Sequence, residues 1–474
     1  MRKLSTVLLL ALLAGGCTVG PDYQRPAVDT PKEWRVNETE AKDLANTAWW
    51  RQFNDPVLDE LIGAALRENK DLMIATARIE EFAGRYGIVR ADLFPQVGAS
   101  GEYNRGRITQ SGDNPLSPGY KTTTDSFSAN LGAAWEIDLW GRIRRGTEAA
   151  KAQFIASEEG RRAVVLSLVS NVASAYINLR DLDRQLEISR NTAKSRGESY
   201  LLFKERFAGG IISELELSQN RSQYEEALAS IPSLEKAVTL QENGLSILLG
   251  RNPGPIARGR NIDELTLPAI TAGMPSDLLE RRPDIRQAEQ TLIAANAQIG
   301  VAKAAYFPTI SLTGAFGSAS GDLSDLFQGP SRIWQYSAPV SLPIFTAGKI
   351  AGGVKEAEAI QQQALIGYQQ AIQNAFREVN DALTDQNQTG KQLAAQKNQV
   401  ESLRQYANIA RLRYDNGYTD YLAVLDAERS LFNAELAYTQ TQGALHFSVI
   451  NLYKAMGGGW VDTAEQLSQP PAAP

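Results

Sequence analysis

Residues 126–139 read Ser-Phe-Ser-Ala-Asn-Leu-Gly-Ala-Ala-Trp-Glu-Ile-Asp-Leu, so Phe127, Ala129, Leu131, Ala133, Trp135, Ile137 and Leu139 alternate with Ser126, Ser128, Asn130, Gly132, Ala134, Glu136 and Asp138. Period two sustained this far predicts a strand with one apolar and one mostly polar face. Trp140-Gly141-Arg142 follows, and the period changes. From Val165 the apolar positions Leu168, Val172, Ala175, Leu179, Leu182 and Leu186 advance in alternating steps of three and four, a heptad seam. No proline interrupts Gly141 to Ala208, which allows a helix of about 68 residues, roughly 100 Å at 1.5 Å rise per residue. No compact globule needs a helix of that length.

Outward from this stretch the chain repeats itself. Gly141-Arg142-Ile143 returns as Gly348-Lys349-Ile350, Arg206-Phe207-Ala208-Gly209-Gly210 as Arg413-Tyr414-Asp415-Asn416-Gly417, and Leu249-Gly250 as Met456-Gly457, each about 207 residues on. That spacing is far longer than a solenoid period and means a duplicated half. Phe94-Pro95 recurs as Phe307-Pro308 at an offset of about 213, a difference of about six residues that a surface loop would absorb. Each half is expected to run helix, two short strands, very long helix, shorter helix. Val97, Ala99, Gly101 and Tyr103 alternate with polar or small residues; Ile310, Leu312 and Phe316, then Trp334, Tyr336, Ala338, Val340, Leu342 and Ile344, repeat the pattern. The four expected strands span about 96–106, 125–139, 308–317 and 333–345. Pro339 and Pro343 each remove a ladder donor from the last, so they belong at its end or on a bulge. The polar, glycine-rich tracts Arg105 to Asp125 and Ser318 to Ser331 read as loops. Ile372, Phe376, Val379 and Leu383 repeat the seam within a second proline-free stretch, Ala347 to Tyr414. Shorter helices are expected at about Ser213 to Leu248, kinked at Pro232, and Asp420 to Met456. The fold class is mainly α with a small β part. The expected organisation is a signal peptide (1–16), an N-terminal lipid-anchored segment (17–55), a first repeat (56–250), a linker (251–282), a second repeat (283–457) and a tail (458–474), disordered from Gln469 to Pro474.

Composition narrows function by exclusion. The 474 residues are 43% hydrophobic and 22% charged, which suits a globular chain with a sizeable core. Basic residues number 48 against 54 acidic, a net charge of −6 with no basic stripe, and this argues against nucleic acid. One histidine, His446, and one cysteine, Cys17, exclude a His/Cys zinc site, an iron–sulfur cluster, a disulfide framework and a Cys–His nucleophile pair. With no glycine-rich phosphate loop and no G-x-S-x-G elbow, no enzyme is expected. Met1-Arg2-Lys3 followed by the apolar Val7 to Ala14 reads as an export signal. Its end, Leu12-Leu13-Ala14-Gly15-Gly16-Cys17, resembles the bacterial lipobox, which implies diacylglycerol and N-palmitoyl lipid on Cys17, the only cofactor-like group expected. Thr18 stands where inner-membrane lipoproteins usually carry Asp, which implies the outer membrane. No other stretch approaches 18 consecutive apolar residues, so no transmembrane helix is expected.

Alternating strands suit either a half-buried soluble sheet or a membrane barrel with lipid outside and water inside. Four strands cannot close a barrel and an open edge cannot sit in lipid, so the membrane reading requires several chains to share one wall. Heptads with extra apolar residues such as Val169 and Tyr176 beside the seam suit either a wall of helices, each touching two neighbours, or a coiled-coil stalk.

The ordered set of landmarks Cys17-Thr18-Val19-Gly20-Pro21-Asp22-Tyr23, Trp49-Trp50 with Phe53, Asp55-Pro56 and Leu58, Asp138-Leu139-Trp140-Gly141-Arg142, Pro275-Ser276-Asp277-Leu278-Leu279 with Arg281-Arg282-Pro283-Asp284-Ile285-Arg286, Tyr421 to Arg429, and Gly457-Gly458-Gly459-Trp460 resembles the TolC-like outer-membrane factors. Within them it is similar to the lipoprotein branch that serves resistance–nodulation–division (RND) efflux pumps. The resemblance implies a homotrimer with a twelve-stranded outer-membrane β-barrel and a periplasmic α-barrel tunnel of twelve helices. It implies docking to a periplasmic adaptor protein and, through it, to an inner-membrane proton-driven RND transporter. The expected activity is passive export through a gated duct of a Gram-negative outer membrane; a type I secretion channel and a structural periplasmic coiled-coil lipoprotein are the alternatives. Carried over by position, the periplasmic aperture falls to Glu216, Tyr414 and Asp426, with Asp420 standing in for missing neighbours, since Thr419 and Ala423 depart from the arginine and acid of some members. Threefold rings of carboxylate would favour cations, hold a divalent ion and raise one another's proton affinity. The plainer reading is that these acids complement helix dipoles. Pro283 reads as a helix start, Arg281 and Arg282 as surface charges or partners of nearby acids, and Tyr23, Trp49 and Trp50 as packing residues.

Overall fold

Three pairs of left-handed glycines mark the duplication in the backbone of the computed structural model: Gly141 and Gly348 (φ 78° and 86°), Gly210 and Gly417 (71° and 74°), Gly250 and Gly457 (74° and 74°), each pair 207 residues apart. The structure describes residues 18–28, 48–109, 121–268, 278–457 and 461. The expected signal peptide with Cys17, Pro275-Ser276-Asp277, Gly458-Gly459-Trp460 and the expected tail from Gln469 lie outside these residues, as does the middle of the tract from Arg105 to Asp125.

The first repeat runs α1 (Pro56–Glu68), α2 (Lys70–Ala91), β1 (Gln96–Arg107), β2 (Thr123–Ile137), α3 (Arg142–Ala208) and α4 (Glu214–Leu248). The second runs α5 (Pro283–Ala304), β3 (Thr309–Ser320), β4 (Arg332–Ser337), β5 (Val340–Ser341), α6 (Lys349–Asp415) and α7 (Tyr421–Ala455). α3 and α6 each have 67 residues, α4 and α7 each have 35, and α2 and α5 each have 22. These three helix pairs therefore match in length, and the six-residue difference falls in the hairpins. Pro283 is the first residue of α5, where its missing N–H costs nothing. Pro232 sits inside α4, which remains helical through it. The fourth strand ends earlier than expected: β4 stops at Ser337 and pairing resumes only at Val340–Ser341, because Pro339 cannot donate to the ladder and Pro343 blocks any extension. An 18-residue window of α3 reaches a mean hydropathy of 1.3 and is long enough to cross a membrane, but 56% of it is buried within the chain, as a core helix would be.

The chain divides into two compact units, each described by itself. One holds Arg78–Ser157 and Gln287–Tyr368 with the strap of residues 18–27. In it Ala149 and Ala152 of α3 meet Ala294 and Ala297 of α5, small side chains that let the helices approach closely. The strap lies across them: Val19 N donates to Trp140 O at 3.1 Å, Asn296 Nδ2 to Pro21 O at 2.9 Å, and Tyr23 Oη to Glu289 at 3.0 Å. Gly20 (φ 107°) needs to be glycine on two counts, since a Cβ there would stand 2.5 Å from Gly300 Cα.

The other unit contains most of the long-helix core. Trp49, Trp50 and Phe53 are fully buried packing residues, Trp49 stacking on Tyr453 with centroids 5.0 Å apart. Arg282 is not a surface charge. Only 4% exposed, it is held by Asp284, Glu378 and the Ala455 carbonyl.

Two buried titratable groups pull this unit's pH dependence in opposite senses. Asp181 faces α7, where a Cβ on Gly443 would stand 3.3 Å from its carboxyl carbon, and its Oδ2 accepts from Gln185 at 3.0 Å. Burial pushes its pKa up to about 6, against the smaller lowering effect of the Gln185 hydrogen bond. Burial lowers His446 to about 4. The folded state thus holds more protons on Asp181 than the unfolded chain between roughly pH 4 and 6, and stability falls as pH rises through that window. His446 works the other way: its contribution is complete above the unfolded pKa near 6.5 and is lost as pH falls toward 4. Asp181→Asn is expected to raise stability at pH 7.5 by about 1–2 kcal/mol and to steepen the loss on acidification, because His446 is then less opposed. Chemical unfolding followed by circular dichroism at pH 4.5, 6 and 7.5 checks this; parallel profiles for parent and variant would show that the Asp181 charge carries no cost.

Candidate functional site

The sheet order is β1-β2-β3-β4, with β5 also pairing β3, and every pairing is antiparallel. The registers sort the side chains by face. Tyr103, Phe127 and Ser320 share one rung, Ala99, Leu131, Phe316 and Trp334 another, Val97, Ala133, Gly314 and Tyr336 the next, then Trp135 with Leu312, and Ile137 with Ile310 and Val340. The rungs between them point to the opposite face and read Ser100, Asn130, Gly317, Ile333, or Gln96, Ala134, Thr313, Ser337, or Glu102, Ser128, Ala319. One face is apolar and aromatic; the other is small and polar apart from Ile333, with Glu102 and Glu136 as its acids and no base. Among the described residues nothing covers the apolar face at these positions: Val97 is 75% exposed, Trp334 71% and Tyr336 81%. The band from the Phe127 rung to the Ile137 rung covers eleven residues, ten steps of rise that make roughly 34 Å along the strand and about 25 Å along a barrel axis at a tilt near 40°, the height of an outer-membrane apolar belt. Among the described residues β1 and β4 keep one unpaired edge each.

The expected aperture residues lie where the long helices turn into the short ones, within the other unit. α3 ends with Ile211 N donating to Arg206 O at 2.9 Å and Gly210 N to Phe207 O at 2.9 Å; α6 ends with Tyr418 N to Arg413 O at 2.8 Å and Gly417 N to Tyr414 O at 2.9 Å. Both are Schellman motifs, which require the left-handed glycine. The next helices are capped by Ser213 and Asp420, again 207 residues apart. Glu216 closes a capping box, its Oε2 accepting from Ser213 N at 2.8 Å and Ser213 Oγ at 2.9 Å. Asp420 accepts from Ala423 N at 3.2 Å, and exposed Asp426 pairs with Arg429 at 2.9 Å. Each acid therefore has a local partner, and two of them stabilise helix starts. Tyr414 is half-buried, packed on Phe203 and Tyr421 with its hydroxyl 3.5 Å from Arg206 Nη1.

The structure joins the two turns through residues that periodicity did not single out. Buried Asn220, one turn beyond Glu216, donates to Tyr421 Oη at 2.6 Å and Ser199 Oγ at 3.1 Å, over an apolar base of Phe203, Val424 and Ala427. A polar residue on the buried stripe of α4 was the available signal. Nearby, Arg196 is 4% exposed, lies over the Phe432 ring at 5.1 Å and donates to Gln223 O at 2.8 Å. Burial lowers the Arg196 pKa against the pull of Glu226 and Glu428, and burial raises that of Glu428 against Arg411 and Arg196. A groove of about 670 Å³ beside them is lined by Arg184, Arg196, Arg404, Arg411, Glu428 and Glu435 among others. Among the described residues no cluster of three or more His, Cys, Asp or Glu is arranged to hold a metal.

The family model described as "Outer membrane efflux protein" matches residues 61–251 and 274–458. The chain is 37% identical over 476 residues to a probable efflux pump outer membrane protein, TtgC, of Pseudomonas putida, covering 99% of this chain and 98% of that protein. It is 37% identical over 456 residues to the cation efflux system protein CusC of Escherichia coli, covering 95% and 98%. The crystal structure of the open state of the Neisseria gonorrhoeae MtrE outer membrane channel superposes with a TM-score of 0.85 at 32% identity, covering 94% of this chain and 99% of that one.

Proposed function

Because the chain belongs to the outer membrane efflux protein family and is an outer-membrane efflux channel, we propose that three copies of it form the passive exit duct of a tripartite RND-type pump. The observation that carries this reading is the sheet. It has an aromatic face tall enough for a lipid belt, a polar face fit to line water, and two edges whose hydrogen bonds must be satisfied before it can enter a membrane. Further copies, β4 of one meeting β1 of the next, satisfy every edge, and three copies supply twelve strands. Energy then comes from an inner-membrane transporter through a periplasmic adaptor, and the chain needs no catalytic group or resident cofactor. Lipid on Cys17 suits the same picture, because the strap that follows it is hydrogen-bonded at Trp140, beside the strand-to-helix junction.

Glu216, Tyr414, Asp420 and Asp426 are proposed to surround the aperture, where three copies place like charges around one opening and favour cations. Cargo is chosen elsewhere in the pump: a relative named for cation efflux and one named for an efflux pump without that cargo match this chain equally, at 37%. Four methionines and one histidine argue against a dedicated copper or silver relay in this subunit.

Electron-microscope class averages of the detergent-extracted mature protein test the duct. Hollow threefold particles longer than a membrane is thick are expected, and solid rods or monomers would sink it. Planar-bilayer recording tests the aperture: Glu216→Ala with Asp426→Ala is expected to cut cation preference severalfold and change conductance. Unchanged values would leave both acids as helix-start and surface residues.

A further inference from the structure

The apolar face of the sheet carries charge at one end only, the end away from Trp135 and Ile137. By register, Arg105 and Arg107 of β1 and Arg332 of β4 fall on this face, with Asp125 its one acid among the described residues. Asp125 lies 3.6 Å from Arg105 and accepts from Tyr103 Oη at 2.9 Å. Arg107 and Arg332 are exposed and have no carboxylate partner among the described residues. Three arginines against one aspartate is an unusual balance for a chain whose net charge is −6 and whose polar sheet face holds only acids. The arginines also border aromatic side chains. Tyr103 stacks on Phe127 at 4.7 Å, and Trp334 on Tyr336 at 5.9 Å. Aromatic rings at that level mark the boundary between hydrocarbon and headgroup.

We propose that Arg107 and Arg332, with Arg105 beside them, bind the phosphate groups of a phosphorylated glycolipid in the outer leaflet. The proposal rests on the reading that this face meets lipid. Arg105 and Arg107 lie on one unpaired edge strand and Arg332 on the other, so a closed wall brings β4 of one copy to β1 of the next and assembles the basic group at each seam. Planar guanidinium groups matched to phosphate oxygens give two-point contacts that a dispersed positive charge does not. The ligand would also hold neighbouring copies together at the rim, where the sheet has least of its own to bury.

The test uses the mature trimer in nanodiscs of phosphatidylethanolamine doped with diphosphoryl lipid A, with dephosphorylated lipid A or phosphatidylglycerol in parallel arms, and bound lipid counted by native mass spectrometry. The parent is expected to retain diphosphoryl lipid A over both others, and Arg107→Gln with Arg332→Gln to lose that retention about tenfold. The control Arg221→Gln, an exposed arginine of α4 paired with Glu225, is expected to match the parent. Equal retention by the double variant, or of the dephosphorylated lipid by the parent, overturns the site. Equal capture of phosphatidylglycerol overturns the glycolipid assignment. Conductance in glycolipid-free phosphatidylethanolamine bilayers separates this from the wall itself. Parent and double variant should both conduct there, and if neither does, the lipid-facing reading fails and this inference with it.

Discussion

Arg282→Ala is expected to cost about 3 kcal/mol or more of stability, near the effect of breaking a buried ion pair from one side. The side chain is 4% exposed and spends its donors on three partners: Asp284 through Nε at 3.0 Å and Nη2 at 2.6 Å, Glu378 at 2.8 Å, and the Ala455 carbonyl at 2.8 Å. Burial opposes its charge, but the Asp284 hydrogen bond and the charges of Asp284 and Glu378 outweigh it and raise its pKa. Truncation leaves the last turn of α7 with an unpaired carbonyl and two carboxylates facing each other. Those carboxylates are about 40% exposed, so water takes up part of the loss and keeps the cost at the lower end for buried pairs. The same side chain fills the space beside Gly457, whose added Cβ would stand 2.3 Å from Arg282 Cγ. Arg282→Lys keeps the charge but not the fork, and a loss of about half is expected. Denaturant unfolding of the three proteins at neutral pH measures this. A loss below about 1 kcal/mol for the Ala variant would show that the cluster only breaks even with solvation.

Arg282 also shows where sequence reading stops. Its place in Arg281-Arg282-Pro283-Asp284 identifies a landmark, but whether the arginine is solvated or buried depends on Glu378 and Ala455, which are 96 and 173 residues away. What was legible is what has a period or a local cap. Alternation around Leu131 and Trp135 specified the two faces, while the registers came only with the structure. The heptads after Val165 and around Phe376 specified the long helices, and Gly210 and Gly417 specified their ends. The fourth strand was overextended because Val340, Leu342 and Ile344 keep period two while Pro339 and Pro343 remove its donors, and the missing hydrogen bonds decide. At the turns between long and short helices Glu216 was singled out from the family pattern and Asp420 as a stand-in where that pattern is broken, and their capping roles are local enough to read. Asn220 was not found, because a single buried polar residue in a 35-residue amphipathic helix acquires meaning only when Tyr421, 201 residues on, arrives beside it.

Asp55→Ala is expected to be as damaging as the loss of Arg282, through hydrogen bonds alone. Asp55 is 1% exposed and caps α1, accepting from Val57 N at 2.9 Å, as the sequence Asp-Pro at a helix start suggests. Its other oxygen accepts from Tyr176 Oη at 2.8 Å and Arg260 N at 3.0 Å, 121 and 205 residues away. Tyr176 in turn accepts from Gly259 N at 2.9 Å, and a Cβ on Gly259 would collide with the Asp55 carboxylate. One carboxylate thus stitches α1, the long helix α3 and the segment after α4. Losing the cap costs about 1 kcal/mol, and each buried donor left unpaired about 1–3 kcal/mol, so a total near 3–5 kcal/mol is expected. Asp55→Asn keeps the shape but has one carbonyl for three donors, and an intermediate loss follows. Tyr176→Phe removes one donor and one acceptor together, and should cost less than Asp55→Ala, about 1–2 kcal/mol. Double-mutant analysis separates a stitch from independent contacts: Asp55→Ala and Tyr176→Phe should combine for well under the sum of their single losses. Full additivity would mean that Asp55 holds the helix cap and the Arg260 segment independently of Tyr176, and the three elements would then be neighbours without being coupled.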